Sequence, residues 1–276
     1  MPGYYIVNGK FFRDDEPSIH PDNRNYRYGD GLFETIRCAN GSFPLWDLHM
    51  DRLFSGLHTL KIETPRLFTP ALLAQQAHQL IQKNNLSNAR IRISVSRGEG
   101  GILEPVTPAP QYSIQSWELD EPMPRFNQNG LRLGIYREAE KSPDALANLK
   151  SNNYLLYVMA AIHARENKLN DALVLNTHQR IADSSIANIC WVNNGMIHTT
   201  PASEGPVSGV MLRWLRTRIA ITDQPLDMDT LRAADEVFLT NAVRGVQWVT
   251  EIDDISFHEN STALKIYSDL IAPVFS

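Results

Sequence analysis

Lys150 stands directly before an apolar helical run in Leu149-Lys150-Ser151-Asn152-Asn153-Tyr154-Leu155-Leu156. An amine at the mouth of such a run can be desolvated enough to act as a neutral nucleophile. Thirty-three residues later comes a carboxylate, in Ile181-Ala182-Asp183-Ser184-Ser185. Then Ser208-Gly209-Val210-Met211 opens a helix, and Thr240-Asn241-Ala242-Val243-Arg244-Gly245 closes a strand. A helix start and a tight turn both present backbone N–H groups that suit an anion the size of phosphate. An imine-forming amine, a counter-charge for a ring nitrogen and donors for a phosphate are the parts that pyridoxal 5'-phosphate requires. Alone, each part reads as ordinary: a lysine whose stem covers apolar surface, a plain strand end. Their order is what carries the reading.

The elements that must position these groups follow from pattern. Tyr4 to Phe12 reads as a hairpin around Asn8-Gly9. Gly31 to Cys38 and Phe43 to Leu45 read as a second pair of strands, followed by a helix from Asp47 to Leu60 with Leu53, Leu57 and Leu60 on one stripe. A helix from about Pro70 to Lys83 precedes a strand from Arg90 to Arg97. Two prolines and a glycine between charged residues then mark a linker. The expected division is an N-terminal α+β domain over 1–121, a linker over 122–130, and a domain over 131–276 that carries Lys150. In the second domain the pattern predicts strands over Leu131–Tyr136, Asp171–Asn176 and Glu236–Thr240. It also predicts a hairpin turning at Asn193-Asn194-Gly195, a helix from Tyr154 to Asn167 apolar nearly all round and hence buried, and a helix from Val210 to Ala220. The class is α+β, without the strict alternation of a doubly wound sheet, and no Gly-x-Gly-x-x-Gly follows a strand.

Composition limits the partners. A hydrophobic content of 43% can fill real cores, and a net charge of −5 disfavours nucleic acid. No apolar run approaches the ~20 residues of a membrane span. The first residues lack the basic and apolar regions of a signal peptide, so the expected setting is the cytoplasm, with no membrane partner. Cys38 and Cys190 lie in apolar strands and read as reduced, buried thiols; no metal is expected.

The ordered set resembles the class IV, fold-type IV pyridoxal-phosphate enzymes: branched-chain aminotransferases, D-amino acid aminotransferases and aminodeoxychorismate lyases. The resemblance covers nearly the whole chain, from Tyr28-Gly29-Asp30-Gly31-Leu32-Phe33-Glu34-Thr35-Ile36-Arg37 through His49-Met50-Asp51-Arg52-Leu53 and the lysine segment to Asp235-Glu236-Val237-Phe238-Leu239-Thr240-Asn241. It implies a D-amino acid aminotransferase-like fold, with a smaller N-terminal α/β sandwich and a larger C-terminal pseudo-barrel. It also implies a homodimer with the active site near the subunit interface, and the aromatic-rich Tyr26-Arg27-Tyr28 and Phe33 segments suit an interface in composition.

Carried over by position, the resemblance makes Lys150 the Schiff-base and proton-transfer lysine and Arg52 a phosphate-binding arginine, whose fork fits two oxygens. Gly209, Val210 and Met211 become one phosphate turn, and Thr240, Asn241 and Ala242 the second. Tyr154 becomes the partner of the ring hydroxyl. Asp183 stands where this family usually carries glutamate; it supplies the charge with one methylene fewer. Tyr28, Phe33 and Thr35 become candidates to face the small amine or amino-acid substrate. Arg97 and Arg137 fall on the apolar parity of their strands, after Ile91, Ile93 and Val95 and after Leu131, Leu133 and Ile135. A charge on that parity suits a substrate carboxylate, or a strand that simply ends and turns its arginine to solvent.

Among reactions, 4-amino-4-deoxychorismate lyase comes first, on Phe33–Arg37, Val95–Gly101 and above all Thr240–Gly245; Ile102-Leu103-Glu104 and Trp248 depart from the lyase pattern. An amino-acid aminotransferase, branched-chain or D-specific and using 2-oxoglutarate or pyruvate, is the alternative, though no Gly-Gly follows Lys150. A cofactor-binding protein with little turnover is third, suggested only by Asp183.

Overall fold

In the computed structural model, residues 3–103 and 109–275 are described; Met1, Pro2 and Glu104, which entered the sequence reading, lie outside them. Packing divides the chain into two compact units. The first holds the chain up to Met123 together with Lys150–Asn153 and Phe275, and the second holds Pro124–Leu149 and Tyr154–Val274.

The first unit begins with the hairpin β1 (Tyr4–Val7) and β2 (Lys10–Arg13). Asn8 and Gly9 turn it, both at positive φ, as a tight primed turn requires. After α1 (Arg24–Tyr28) come β3 (Gly31–Cys38), α2 (Trp46–Thr59), α3 (Pro70–Lys83), β4 (Ala89–Ser96) and β5 (Gln111–Glu118). The strands form one antiparallel sheet in the order β2-β1-β5-β4-β3. Helix α3 starts cleanly because the Thr69 hydroxyl accepts the Leu72 amide at 3.1 Å and Pro70 needs no donor partner. Its Leu73, Ala77 and Leu80 face β1 and β5, while α2 covers β3 with Leu53 and Leu57.

Two readings of this unit need correction. Phe43–Leu45 is not a strand: Asn40 and Gly41 reverse the chain, but only the Ala39–Ser42 bridge forms before the helix begins. Pro44 can give no ladder donor. The partner of β3 is instead β4, over its full length from Gly31 opposite Ser96 to Cys38 opposite Ala89.

The second unit consists of β6 (Leu131–Lys141), α4 (Leu155–Glu166), β7 (Asp171–Asn176), β8 (Ile181–Ser184), β9 (Asn188–Asn193), β10 (Met196–Thr199), α5 (Val210–Arg216), β11 (Thr222–Asp223), α6 (Met228–Arg232), β12 (Glu236–Asn241), β13 (Gly245–Ile252), β14 (Ile255–Ser256) and α7 (Ser261–Ile266). The sheet order is β11-β10-β9-β12-β13-β6-β7-β8, with β14 on β13. The last strand, β8, turns straight back into β9 near the other end of that path, with the Ser184 amide on the Ala187 carbonyl at 2.9 Å. The sheet therefore curls into the expected pseudo-barrel, and the α+β class holds.

Strands β7, β9 and β12 are buried on both faces, so their sequences run largely apolar without alternation. Leu133, Ile135, Leu173, Leu175, Trp191 and Val237 fill the inside, whereas Tyr136, Ala172 and Val174 meet Tyr157, Ala160 and Ala164 of α4. Only that narrow stripe of α4 is covered; Leu155, Val158 and Met159 are exposed in the single chain, contrary to the expectation of a fully buried helix. Strand β6 does not end at Arg137: a register shift after Tyr136 lets it continue to Lys141 opposite Asn176. Helix α5 stops at Arg216, short of Ala220. Cys38 and Cys190 are free and buried; burial pushes the Cys190 thiol up to about 12.

Leu173 is fully buried within the barrel core. Leu173→Ala should destabilise the protein by about 2–5 kcal/mol, read as a lower urea midpoint; an unchanged midpoint would contradict the two-sided packing of β7.

Candidate active site

In the second unit, Asp183 is 2% exposed on β8, opposite Val174. A buried carboxylate must have its lone pairs answered. The Tyr157 hydroxyl donates to both its oxygens at 3.1 and 3.0 Å, the Val207 amide donates at 2.8 Å, and the Lys141 ammonium lies 3.7 Å away. Burial, and then the charge of Asp183, push the Tyr157 phenol well above its ordinary 10, so it remains a donor. Tyr154, three residues earlier on the same helical side, stacks on Tyr157 at 4.4 Å and donates its hydroxyl to the Ser185 carbonyl at 3.2 Å.

Val207 ties this carboxylate to the start of α5. Its carbonyl accepts the Asn188 side-chain amide at 2.8 Å, and Asn188 in turn leaves no room at Gly209: a Cβ there would lie 1.7 Å from Asn188 Oδ1. Glycine at 209 is therefore a matter of space rather than of backbone angle. Gly209 caps α5 without any side-chain bond, so the leading amides of Val210 and Met211 have no side-chain cap. At the end of β12 the Thr240 hydroxyl is buried with no hydrogen-bond partner. Asn241 shapes the following turn: its carboxamide donates to the Ile186 carbonyl at 2.5 Å and accepts from the amides of Val243 and Arg244 at 2.8 and 3.2 Å. An orphaned buried hydroxyl and a glycine-started helix fit a phosphate ligand. Gly209, Val210, Met211, Thr240, Asn241 and Ala242 could hold one, and Tyr154 and Asp183 could meet a ring hydroxyl and a ring nitrogen.

In the first unit, Lys150–Asn153 runs extended against the start of β3. The Phe33 amide donates to the Lys150 carbonyl at 2.9 Å, Ser151 bridges Leu32, and the Asn152 amide donates to the Gly31 carbonyl at 2.9 Å. The Lys150 ammonium lies 4.4 Å from the centre of the Phe33 ring, and the Arg92 guanidinium lies 3.8 Å from the same ring. Phe33 is thus buried between two cations, and its aromatic face is not part of an exposed interface patch. Thr35 pairs with Arg92 across the sheet, while Tyr28 is partly exposed beside Arg24 and Arg27.

Next along β3, the fully buried Glu34 receives Arg52 through Nε at 2.7 Å and through Nη2, and His49 Nδ1 at 2.6 Å. Arg52 is thereby fixed in direction by a fork-to-fork pair. Burial pushes the His49 imidazole below 6.5 against the pull of Glu34, with Arg52 and Lys150 pushing the same way as burial. Arg97 is held by Asp30 at 2.9 Å and by the Leu60 and Lys61 carbonyls at 2.6 and 2.9 Å. Arg137 is half-exposed and bonds Asp253 at 2.8 Å. Both arginines thus have protein carboxylates as partners.

The sequence reading passed over Lys141 and Tyr157. Tyr157 could have been found from its i+3 spacing after Tyr154. Lys141 sits in the charged run Arg137-Glu138-Ala139-Glu140-Lys141, which looks like a solvated face.

Burial alone would raise the Glu34 carboxyl, but Arg52 and His49 outweigh it and hold it at about 2, below its ordinary 4.5. A carboxyl whose folded pKa is depressed stabilises the fold above its unfolded pKa, and that stability is lost as pH falls towards the folded value. Melting temperature should therefore drop between about pH 4.5 and pH 2. Glu34→Gln should lower it at neutral pH and flatten that acid limb; an acid limb of unchanged slope would remove Glu34 as its cause.

The sequence profile of class IV amino-transferases matches residues 31–252. A Methanocaldococcus jannaschii protein provisionally described as a branched-chain-amino-acid aminotransferase is 28% identical over 254 residues, covering 90% of this chain and 87% of that one. Aminodeoxychorismate lyase of Vibrio harveyi is 27% identical over 249 residues, covering 88% and 90%. The crystal structure of 4-amino-4-deoxychorismate lyase from Pseudomonas aeruginosa is similar with a TM-score of 0.78 and 27% identity, over 96% of this chain and 99% of that chain. With the profile spanning both units and each of these relatives matched nearly end to end, the chain belongs to the class IV amino-transferases, a family of pyridoxal 5'-phosphate-dependent enzymes.

Proposed function

We propose that this enzyme is a 4-amino-4-deoxychorismate lyase, releasing pyruvate and 4-aminobenzoate. The observation that carries the reading is the Thr240–Gly245 turn. Its sequence is lyase-like, and the Asn241 carboxamide fixes its shape by bonding Ile186 on one side and Val243 and Arg244 on the other. Lyases at 27% identity in sequence and in structure support it. The M. jannaschii relative, at 28%, keeps an amino-acid aminotransferase as the second reading.

When bound, pyridoxal phosphate supplies an aldehyde that captures the substrate amine and a ring that withdraws electrons from it. The chain supplies the rest. Lys150 would be the residue that holds the cofactor covalently and, when freed by substrate, would take the proton from ring C4; the ring C3–O bond would break as the ring becomes aromatic, and the enolpyruvate released would gain a proton at its methylene carbon to give pyruvate. Asp183, accepting from the Tyr157 hydroxyl and the Val207 amide, would face the ring nitrogen, where a carboxylate in contact favours the protonated form. Tyr154 donates to the ring hydroxyl. Arg52 and the amides of Val210 and Met211, with the Thr240 hydroxyl, bind the phosphate; Glu34 keeps Arg52 pointed. Tyr28, Phe33 and Thr35 would line the approach of substrate, and Arg97 or Arg137 would meet a substrate carboxylate only by sharing its guanidinium with Asp30 or Asp253.

We also propose that the enzyme is a cytoplasmic homodimer. The exposed Leu155, Val158 and Met159 on α4 support a covered face, because apolar side chains clustered in one place mark contact surfaces. Sedimentation across a dilution series should show a dimer, and a monomer at every concentration would contradict it.

Incubation with aminodeoxychorismate should yield 4-aminobenzoate and pyruvate in equal amounts, while a panel of L- and D-amino acids with 2-oxoglutarate or pyruvate gives little transfer. The reverse pattern would establish the aminotransferase. Gly209→Ala should abolish or strongly weaken cofactor uptake, because its methyl must displace Asn188 or the start of α5; unchanged affinity for pyridoxal phosphate would remove that turn from the site.

A further inference from the structure

The second unit contains a lysine that none of the roles above uses. Lys141 ends β6, and its side chain is only 11% exposed. Its ammonium donates to the Tyr157 hydroxyl, and that hydroxyl donates onward to both oxygens of Asp183 at 3.1 and 3.0 Å. The ammonium also lies 3.7 Å from Asp183 Oδ2 directly. The result is a short relay from a cation through a phenol to a buried carboxylate. The charged and titratable groups that act on it are Asp183 and Asp144 on Lys141, and Asp183 and Tyr154 on Tyr157. Burial draws the Lys141 ammonium below its ordinary 10.5 while Asp183 and Asp144 hold it up.

We propose that Lys141, acting through the Tyr157 hydroxyl, is a positioning residue that sets how strongly Asp183 holds a proton on the cofactor's ring nitrogen. The inference rests on the pyridoxal-phosphate role proposed for Asp183. Its physical content is competition. A carboxylate already facing one cation and accepting from a phenol and an amide attracts a second cation less than a bare carboxylate would. Neutralising Lys141 would leave Asp183 with its hydrogen bonds to Tyr157 and Val207 but without the neighbouring cation that competes with the ring. A lysine placed there only to pack and satisfy Tyr157 would affect stability and leave the bound cofactor's titration alone.

The test is a pH titration of the visible absorption band of the holoenzyme, comparing wild type with Lys141→Met and Lys141→Arg after melting curves confirm folding. In Lys141→Met the midpoint should rise by roughly one pH unit, the scale of a unit charge acting over several ångströms in a partly screened interior. Lys141→Arg should return it towards wild type. If the methionine variant does not fold, Lys141→Gln takes its place with the same expected rise. A wild type that binds cofactor while the neutral variant titrates at the same or a lower pH overturns the role of Lys141 alone. A wild type that takes up no pyridoxal phosphate overturns the parent reading, and this one with it.

Discussion

The hydrogen bonds that converge on Asp183 are the constraint around which the second unit's site is arranged. A carboxylate this deeply buried costs several kcal/mol unless it is answered, and the answers come from three separate elements: Tyr157 on α4, Lys141 at the end of β6, and the Val207 amide just before α5. Satisfying one charge thus fixes a helix, a strand end and a loop at once. Val207 passes the constraint on, because its carbonyl binds Asn188 and Asn188 forbids any side chain at 209. The uncapped start of α5 is placed by the same carboxylate.

The first unit solves a parallel problem with opposite charges. Glu34 is buried so that Arg52 can be held stiffly, two nitrogens on one carboxylate, with His49 answering the remaining acceptor capacity. Such a pair adds little to net stability when compared with apolar packing, yet losing one partner is costly, which suits a residue whose direction matters more than its contribution to folding. Phe33, between the Lys150 ammonium and the Arg92 guanidinium, gives both cations a surface that attracts them without neutralising them.

Much of this was legible in the sequence, and the failures have physical causes. Helix α3 could be bounded to the residue because Pro70 and Thr69 mark its start, and β7 because four apolar residues, Ala172 to Leu175, end at a polar turn. Strand β5 is not marked by its pattern: it lies inside a sheet, yet Ile114 is its only fully buried residue, and Tyr112 and Trp117 stand among serines, glutamines and a glutamate that are all at least partly exposed. Strand β13 is not marked by its pattern because its buried apolar residues, Val246, Val249 and Ile252, fall at intervals of three rather than two, with a register shift between Val249 and Glu251. The sequence of helix α4 reads as buried all round because Leu155, Val158 and Met159 carry the apolar pattern onto its exposed side. In the site, the residues with a family position could be named in advance. Lys141 could not, since only the shift in β6 after Tyr136 carries a charged run back against a buried carboxylate.

The central claim is that Lys150, and no other of the seven lysines, bonds covalently to the cofactor. Lys141, 3.7 Å from Asp183, is the natural competitor. Borohydride reduction of the protein loaded with pyridoxal phosphate, followed by peptide mapping, decides between them. The account predicts a single phosphopyridoxyl label on Lys150; a label on Lys141 or on any other lysine, or protein that takes no label while folded, would contradict it.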